Sequence, residues 1–207
     1  NRVVVQALVD VYSEQNKTTE AAHDIEEFRK AVANDADQLY VAAGLYSRID
    51  EKLKSEEVLE QVLRVDPQHV GASNDLGYFW ADQGKNLVKA EALIRTAVDA
   101  EPDNESFLDS LGWVLYKRGE FLQARKYLQQ AISTSELPDP VMLDHLGDVM
   151  YQLGDNTQAQ ELWKRSLTGI TTANVERSDL APLRLQLEAK LKQATKGGKV
   201  DVAPTTG

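Results

Sequence analysis

The histidines and carboxylates of this sequence are the residues that could first be suspected of chemistry, as ligands of a metal ion. Zinc sites use closely spaced histidines, as in HExxH, whereas His23, His69 and His145 are far apart in the chain. A calcium loop needs a central glycine and alternating oxygen ligands, and the acidic stretch DAEPDNE at 99–105 has neither. The chain has no cysteine, which excludes thiolate ligands, thiol catalysis and disulfides. We therefore expect no metal and no cofactor.

Motifs for nucleophilic catalysis and phosphate binding are also missing from the sequence. Ser110 lies in DSLG, within a helical pattern, and not in the G-x-S-x-G elbow that presents a nucleophile. The tripeptide GGK at 197–199 lacks the flanking strand and helix of a P-loop. Neighbouring carboxylates are plentiful, but a chain with 33 Asp and Glu residues contains such pairs by chance. The sequence therefore predicts a protein that is not an enzyme and that acts by recognition.

Composition and charge narrow the class of partner. The chain has 207 residues, of which 42% are hydrophobic, and this is enough apolar material for a sizeable core. Its net charge of −10 argues against nucleic acid and against an anionic membrane surface. No apolar run approaches the ~18 residues of a membrane helix, so we expect no membrane insertion. The chain begins with Asn1 instead of Met, and we expect it to be a piece of a longer protein whose targeting segment is not in view.

The sequence contains a motif that recurs every 35 residues, and the helices that it predicts would carry any recognition surface. The strings NDLGYFWADQG (74–84), DSLGWVLYKRG (109–119) and DHLGDVMYQLG (144–154) have their first glycines 35 residues apart, at Gly77, Gly112 and Gly147. A mid-helix glycine costs about 1 kcal/mol against alanine, so we predict close helix packing there, with Gly112 facing Ala124 and Ala131 admitting the next pair. The second glycine of each string, at 84, 119 or 154, predicts a left-handed helix end.

These strings resemble the tetratricopeptide repeat (TPR) family, whose pattern is W-x₂-L-G-x₂-Y followed by A, F, A and P over ~34 residues. The resemblance implies an all-α fold, a right-handed superhelical solenoid of antiparallel helix pairs, and three matched units argue against an unrelated helical bundle. We expect a degenerate helix pair in 1–35, about four repeats in 36–169, a C-terminal capping helix in 170–195 and a flexible tail in 196–207. The capping helix would start at Ser178 and line one face with Leu180, Leu183, Leu187 and Leu191.

The pattern predicts eleven helices and no strand. They are placed near residues 3–15, 18–33, 37–49, 54–65, 70–83, 88–100, 105–117, 121–134, 140–152, 156–168 and 178–195.

In the TPR family the first helix of each pair lines a concave face that binds a partner, and the resemblance implies which residues would do so here. They are Tyr40, Ser47, Arg48, Asn74, Asp75, Tyr78, Asp82, Asp109, Trp113, Tyr116, Lys117, Asp144, His145, Asp148 and Tyr151. Five of them are aromatic and five are aspartates, which would favour a basic or amphipathic peptide. An alternative stays open, in which these residues contact no partner. The aspartates would then lie on a solvated helix face or hydrogen-bond the neighbouring repeat, and Trp113 would be half-buried between repeats.

Three functional hypotheses follow from this resemblance. The first is a non-catalytic scaffold that binds a protein or peptide in an acidic, aromatic groove. The second, suggested by LDSLGW and HLGDV strings that resemble those of bacterial TPR proteins, is the C-terminal arm of an envelope adaptor that recruits an enzyme or protease. The third is a self-assembly module, a homo-oligomer with VVVQALV at 3–9 as its interface. The bacterial cytoplasm and the periplasm or cell envelope both remain open as compartments.

Overall fold

A computed structural model of the chain describes residues 2–133, 137–172 and 180–203, apart from the side chains of residues 171 and 172. Within these ranges the chain forms eleven helices and no strand, so the all-α prediction is confirmed. The helices are α1 Arg2–Glu14, α2 Thr18–Ala31, α3 Ala36–Arg48, α4 Lys52–Val65, α5 Val70–Asp82, α6 Leu87–Ala100, α7 Glu105–Lys117, α8 Phe121–Ser133, α9 Pro140–Gln152, α10 Asn156–Thr172 and α11 Ala181–Thr195. The predicted cap residue Ser178 lies outside the described residues.

The turn after each first helix has a left-handed residue, as the glycine spacing predicted. Gly84, Gly119 and Gly154 have φ angles of 68°, 78° and 85°, a conformation that glycine adopts without a steric penalty. In the turns after α1 and α3, Asn16 and Asp50 take the left-handed conformation instead, with φ of 55° and 59°. Asn and Asp tolerate this region better than other side chains, which explains why the first repeats are harder to recognise from glycine spacing.

Helix α10 continues past the predicted end near residue 168. It runs to Thr172 and contains Gly169, which the sequence analysis placed beyond the helix. A Cβ atom at Gly169 would lie 3.3 Å from Pro140 Cγ, and the Ser166 hydroxyl donates a hydrogen bond of 2.6 Å to the Pro140 carbonyl. Gly169 therefore marks a close contact with the start of α9 and not the end of its own helix.

The chain divides into two units, Asn1–Phe79 and Trp80–Gly207. The first unit contains α1 to α4 and most of α5, around a core that includes Val9, Ile25, Leu39 and Leu59. The Ser55 hydroxyl of α4 donates a hydrogen bond of 2.9 Å to the Ala43 carbonyl of α3. Small residues thus bring these two helices together.

The second unit contains α6 to α11, and glycines set the approach of its helix pairs. A Cβ atom at Gly112 would lie 2.5 Å from Leu128 Cγ and 3.3 Å from the Ala124 carbonyl oxygen, so the predicted contact of Gly112 with Ala124 is confirmed. At Gly147 the same atom would lie 2.5 Å from Trp163 Nε1. Ala131 of α8 packs in one cluster with Met142 of α9, which confirms its predicted role in docking the next pair.

Candidate functional site

The first helices of the second unit are buried on all sides over most of their length. Every residue from Leu108 to Lys117 in α7 and from Met142 to Met150 in α9 is buried. The predicted partner residues in these stretches therefore contact other parts of the protein; they are Asp109, Trp113, Tyr116, Lys117, Asp144, His145 and Asp148. Tyr151, one residue beyond the second stretch, is half-buried. We call α7 and α9 with these side chains the first-helix face of the second unit.

An aromatic stack links α7 to α9 on this face. The Trp113 ring lies 5.0 Å from the Tyr116 ring and 4.0 Å from the His145 ring between centroids, with interplanar angles of 2° and 14°. The Lys117 ammonium lies 5.3 Å from the Trp113 centroid and donates a hydrogen bond of 3.1 Å to the Asp82 carbonyl oxygen. The buried Trp113 Nε1–H finds no acceptor among the described residues. Two of the predicted aromatic residues, Trp113 and Tyr116, thus stack in one group with His145.

His145 is held by an ion pair inside this group. Its Nδ1 lies 3.0 Å from the Asp109 carboxylate, and both side chains are buried. Burial disfavours the imidazolium and lowers the pKa of His145, but the charges of Asp109, Asp144 and Asp148 outweigh burial and raise the pKa above its ordinary value. The Asp109 carboxylate therefore stabilises a protonated His145 and is not available to a partner.

The other two aspartates of the face share one lysine of the capping helix. Lys190 Nζ of α11 lies 2.7 Å from Asp144 Oδ1 and 2.6 Å from Asp148 Oδ1, and all three side chains are buried. Trp163 Nε1 also donates a hydrogen bond of 3.1 Å to Asp148 Oδ1. Burial and the charge of Asp144 raise the pKa of Asp148 to about 6 against the effect of Lys190. Burial lowers the pKa of Lys190, but the two carboxylates outweigh this effect and raise the pKa above its ordinary value. The ammonium therefore stays charged.

Lys190 is the residue of this cluster that sequence reasoning missed. The leucine pattern predicted the capping role of this helix, and Leu180 and Leu187 are indeed buried, but the pattern indicated no role for Lys190. The available signal was a lysine at helical spacing from Leu183 and Leu187, within an apolar stripe. A cation in such a position needs a buried counter-charge, and the repeat already offered Asp144 and Asp148 on the neighbouring helix.

A C-terminal segment, residues 199–203, lies against the same face. The Val200 N–H donates a hydrogen bond of 2.9 Å to Tyr151 Oη, and the Ala203 N–H donates one of 3.2 Å to Asp148 Oδ2. Tyr116 Oη donates a hydrogen bond of 2.7 Å to the Ala203 carbonyl oxygen. The Val200 side chain is only 2% exposed. Part of the stretch expected to be a flexible tail is therefore held by three predicted partner residues.

The predicted site residues of the first unit are arranged differently. Tyr40 Oη donates a hydrogen bond of 2.8 Å to the Asp75 carboxylate, to which the Asn74 amide also donates at 3.1 Å. Burial raises the pKa of Asp75, although both hydrogen bonds act to lower it. Arg48 forms an ion pair with Asp10 on the surface, and Tyr78 is half-buried.

The exposed residues of α3 lie at helical spacing along one stripe: Asp37, Gly44, Ser47 and Arg48. Asp82, the remaining predicted site residue, belongs to the second unit and is exposed.

The geometry offers no set of groups for catalysis within the described residues. The Ser110 hydroxyl donates a hydrogen bond of 2.9 Å to the Ser106 carbonyl in its own helix and has no base beside it in the described hydrogen bonds. The described residues contain no group of three or more side chains placed to hold a metal ion. None of the described helices combines the length and the apolar character that crossing a membrane requires.

Part of the chain matches models of a known sequence family. Two models described as tetratricopeptide repeat match it, one over residues 53–105 and the other over residues 106–136. Residues 53–136 are tetratricopeptide repeats. TPR arrays are in general non-catalytic scaffolds for protein interaction, and this chain has that architecture. A comparison with curated proteins found no match.

Solved structures of bacterial TPR proteins share the fold. PilW, a widely conserved type IV pilus biogenesis factor, matches with a TM-score of 0.71 and 20% identity over 94% of this chain and 86% of its own. TTC0263, a thermophilic TPR protein of Thermus thermophilus, matches with 0.68 and 17% over 95% and 100%. MamA from Desulfovibrio magneticus, from residue 41 to its end, matches with 0.65 and 17% over 84% and 97%. At these identities the likeness shows the fold alone.

Proposed function

We propose that this TPR chain is a non-catalytic scaffold that binds an extended segment of a partner protein on its first-helix faces. The observation that carries the proposal is the contact of Tyr116, Asp148 and Tyr151 with the backbone of residues 200–203. Side chains that hydrogen-bond a main chain in this way bind a polypeptide with little regard to its sequence.

The structure alters the charge preference that the sequence suggested for this partner. In the second unit Asp109 is paired with His145, and Asp144 and Asp148 are paired with Lys190. Carboxylates committed to internal cations attract a basic peptide less than free ones. We therefore propose recognition by backbone hydrogen bonds and apolar or aromatic contact, with a basic or amphipathic character of the partner as a secondary feature at most.

Photo-crosslinking in the host cell tests this function. A benzophenone amino acid would replace Ser47 on α3 or Gln152 on α9, which are exposed on first helices, or Leu122 on α8, which is 66% exposed on a second helix. We expect discrete adducts from Ser47 and Gln152 and few from Leu122. Equal adducts from all three positions, or none from the first helices, would contradict the proposal. Adducts whose partner is an enzyme or protease would support the adaptor hypothesis.

A second candidate function, self-assembly, is favoured by helix α1. Val3, Val4 and Val11 are 71%, 53% and 46% exposed, and they give α1 an apolar surface. Exposed apolar patches of this kind mark interaction surfaces. If α1 pairs with a second copy, the mass in solution will rise with protein concentration and Val4→Asp will abolish the rise. A mass that stays monomeric at all concentrations would exclude self-assembly through α1.

A further inference from the structure

We infer that the C-terminal segment, residues 199–203, is a built-in ligand of the first-helix face of the second unit. The partner that this face accepts is then an extended segment with an aliphatic residue at the position of Val200 and a small residue at that of Ala203. Such a partner would compete with the chain's own segment for the same groups. This inference rests on the function proposed above and names the partner's chemistry and its regulation.

The hydrogen bonds of the segment follow the pattern of a bound peptide. Tyr151 and Asp148 of α9 accept the N–H groups of Val200 and Ala203, and Tyr116 of α7 donates to the Ala203 carbonyl. The segment follows α9 from Val200 to Ala203, and at Ala203 its two backbone groups bond α9 and α7 together.

The side chains of the segment define what the face selects. Val200 is buried beside a cavity of about 100 Å³ that is also lined by Tyr151 and Trp163 and by the polar side chains of Asn156 and Gln160. Asp201 is exposed, and Val202 and Ala203 are half-buried. Val200 is thus the one deeply buried anchor of the segment as described. The spare volume beside it would accommodate a larger aliphatic side chain such as leucine or isoleucine, so a partner can fill the pocket better than the chain's own residue does.

The connection to α11 allows the segment to leave without unfolding the helix. Gly197 has a φ of 67°, and Gly198 follows it directly, so Lys196 and two glycines lie between the end of α11 and the segment. Glycines give the backbone the freedom to redirect the chain. A tethered ligand of this kind has an effective concentration on the order of millimolar, which holds the face closed against weak binders and lets a tighter partner displace it.

A peptide titration tests the inference on the full chain. The probe is a fluorescein-labelled peptide with the sequence of residues 197–203, GGKVDVA, and the measurement is fluorescence anisotropy. Val200→Asp places a charge at a buried position and should release the segment, so that the probe binds at least about tenfold more tightly than to the wild type. Val202→Asp makes the same chemical change at a half-buried position and should leave probe binding at the wild-type level.

Further arms separate a binding site from a merely structural contact. In the Val200→Asp background, Tyr116→Phe and Tyr151→Phe should each weaken probe binding several-fold, and a probe with Asp at the position of Val200 should not bind. A folded Val200→Asp chain that ignores the probe would overturn the inference. A chain ended at Gly198 is the second variant. If both variants lose their near-UV circular dichroism, the segment is part of the fold and not a displaceable ligand, and the inference is wrong.

The crosslinking experiment distinguishes this inference from the proposed function. If the inference is correct, Val200→Asp will increase partner adducts from Gln152 and leave those from Ser47 unchanged. Adducts at wild-type yield in the Val200→Asp chain, without probe binding, would refute the built-in ligand and retain the scaffold. Probe binding without partner adducts would instead refute the proposed function, while the intramolecular occupancy would stand.

Discussion

Helix α3 in the first unit and helices α7 and α9 in the second occupy the same place in the repeat, yet their surroundings differ. α3 exposes Asp37, Gly44, Ser47 and Arg48 along one stripe, whereas α7 and α9 are buried on every side over ten and nine consecutive residues. The second unit covers this face with its own capping helix and C-terminal segment. A repeat position therefore predicts which helix a residue lies on, but the elements stacked against that helix decide whether the residue is free to bind.

The largest loss of stability is expected from a substitution of Lys190, the cation that α11 supplies to the first-helix face. Lys190→Met leaves Asp144 and Asp148 buried without their cation, and breaking a buried ion pair on one side costs about 3–5 kcal/mol. We expect urea unfolding to show a loss of this size for the second unit. Lys192→Met, at an exposed position of the same helix, should change the free energy of unfolding by less than about 0.5 kcal/mol. Equal effects of the two substitutions would mean that Lys190 does not hold the cover in place.

Glycine-to-alanine substitutions compare the packing around α3 with that around α7 and α9, because the same methyl group is added in each helix. A Cβ atom at Gly147 or Gly112 would lie 2.5 Å from Trp163 or Leu128, whereas at Gly44 it would meet nothing within 4 Å. Gly147→Ala should cost about 1–3 kcal/mol. Gly112→Ala should also be destabilising, because its Cβ would meet the branch carbon of Leu128 and the backbone oxygen of Ala124, and neither is the flexible end of a side chain.

Gly44→Ala is the matched control for both substitutions. It should stabilise α3 by about 0.5–1 kcal/mol, because alanine favours the helix more than glycine does. Thermal unfolding of the three variants measures these differences. A loss of stability in Gly44→Ala would show that the α3 stripe is not open.

A smaller effect is expected from the ion pair of His145. Asp109→Asn removes the nearest negative charge, so the pKa of His145 should fall, and NMR titration of the imidazole signals measures this directly. Because the folded pKa of His145 is raised, its contribution to stability is present below the ordinary pKa of 6.5 and is lost as pH rises through the folded value. Asp144 and Asp148 on α9 and Asp109 on α7 are the charges that act on it.

The stability of the wild type should accordingly decrease as pH rises above about 6.5, and that of Asp109→Asn should decrease less. Asp139→Asn is not a suitable control, because Asp139 caps α9. Asp103→Asn, at an exposed position before α7, is suitable and should leave the pH dependence unchanged. A His145 pKa that is the same in Asp109→Asn and in the wild type would contradict the ion pair.

The recurring glycines explain how much of this fold could be predicted from the sequence. Gly112 and Gly147 mark close contacts within a helix pair, and Gly119 and Gly154 mark left-handed turns, and both features recur with the repeat. The covered face could not be predicted in the same way. Lys190 is 42 residues from Asp148, and Ala203 is 55 residues from it. Neither contact follows from a repeat period, and the composition of 196–207 gave no sign that Val200 would be buried.

Amide hydrogen exchange, read by NMR at Val200 and Ala203, tests most directly whether the chain closes its own first-helix face. The free peptide GGKVDVA supplies the unprotected rate for the same sequence. Hydrogen bonds to Tyr151 and Asp148 should slow exchange of both amides in the full chain by at least about tenfold, and Tyr151→Phe should remove the protection at Val200. Exchange of both amides at the rate of the free peptide would contradict the account.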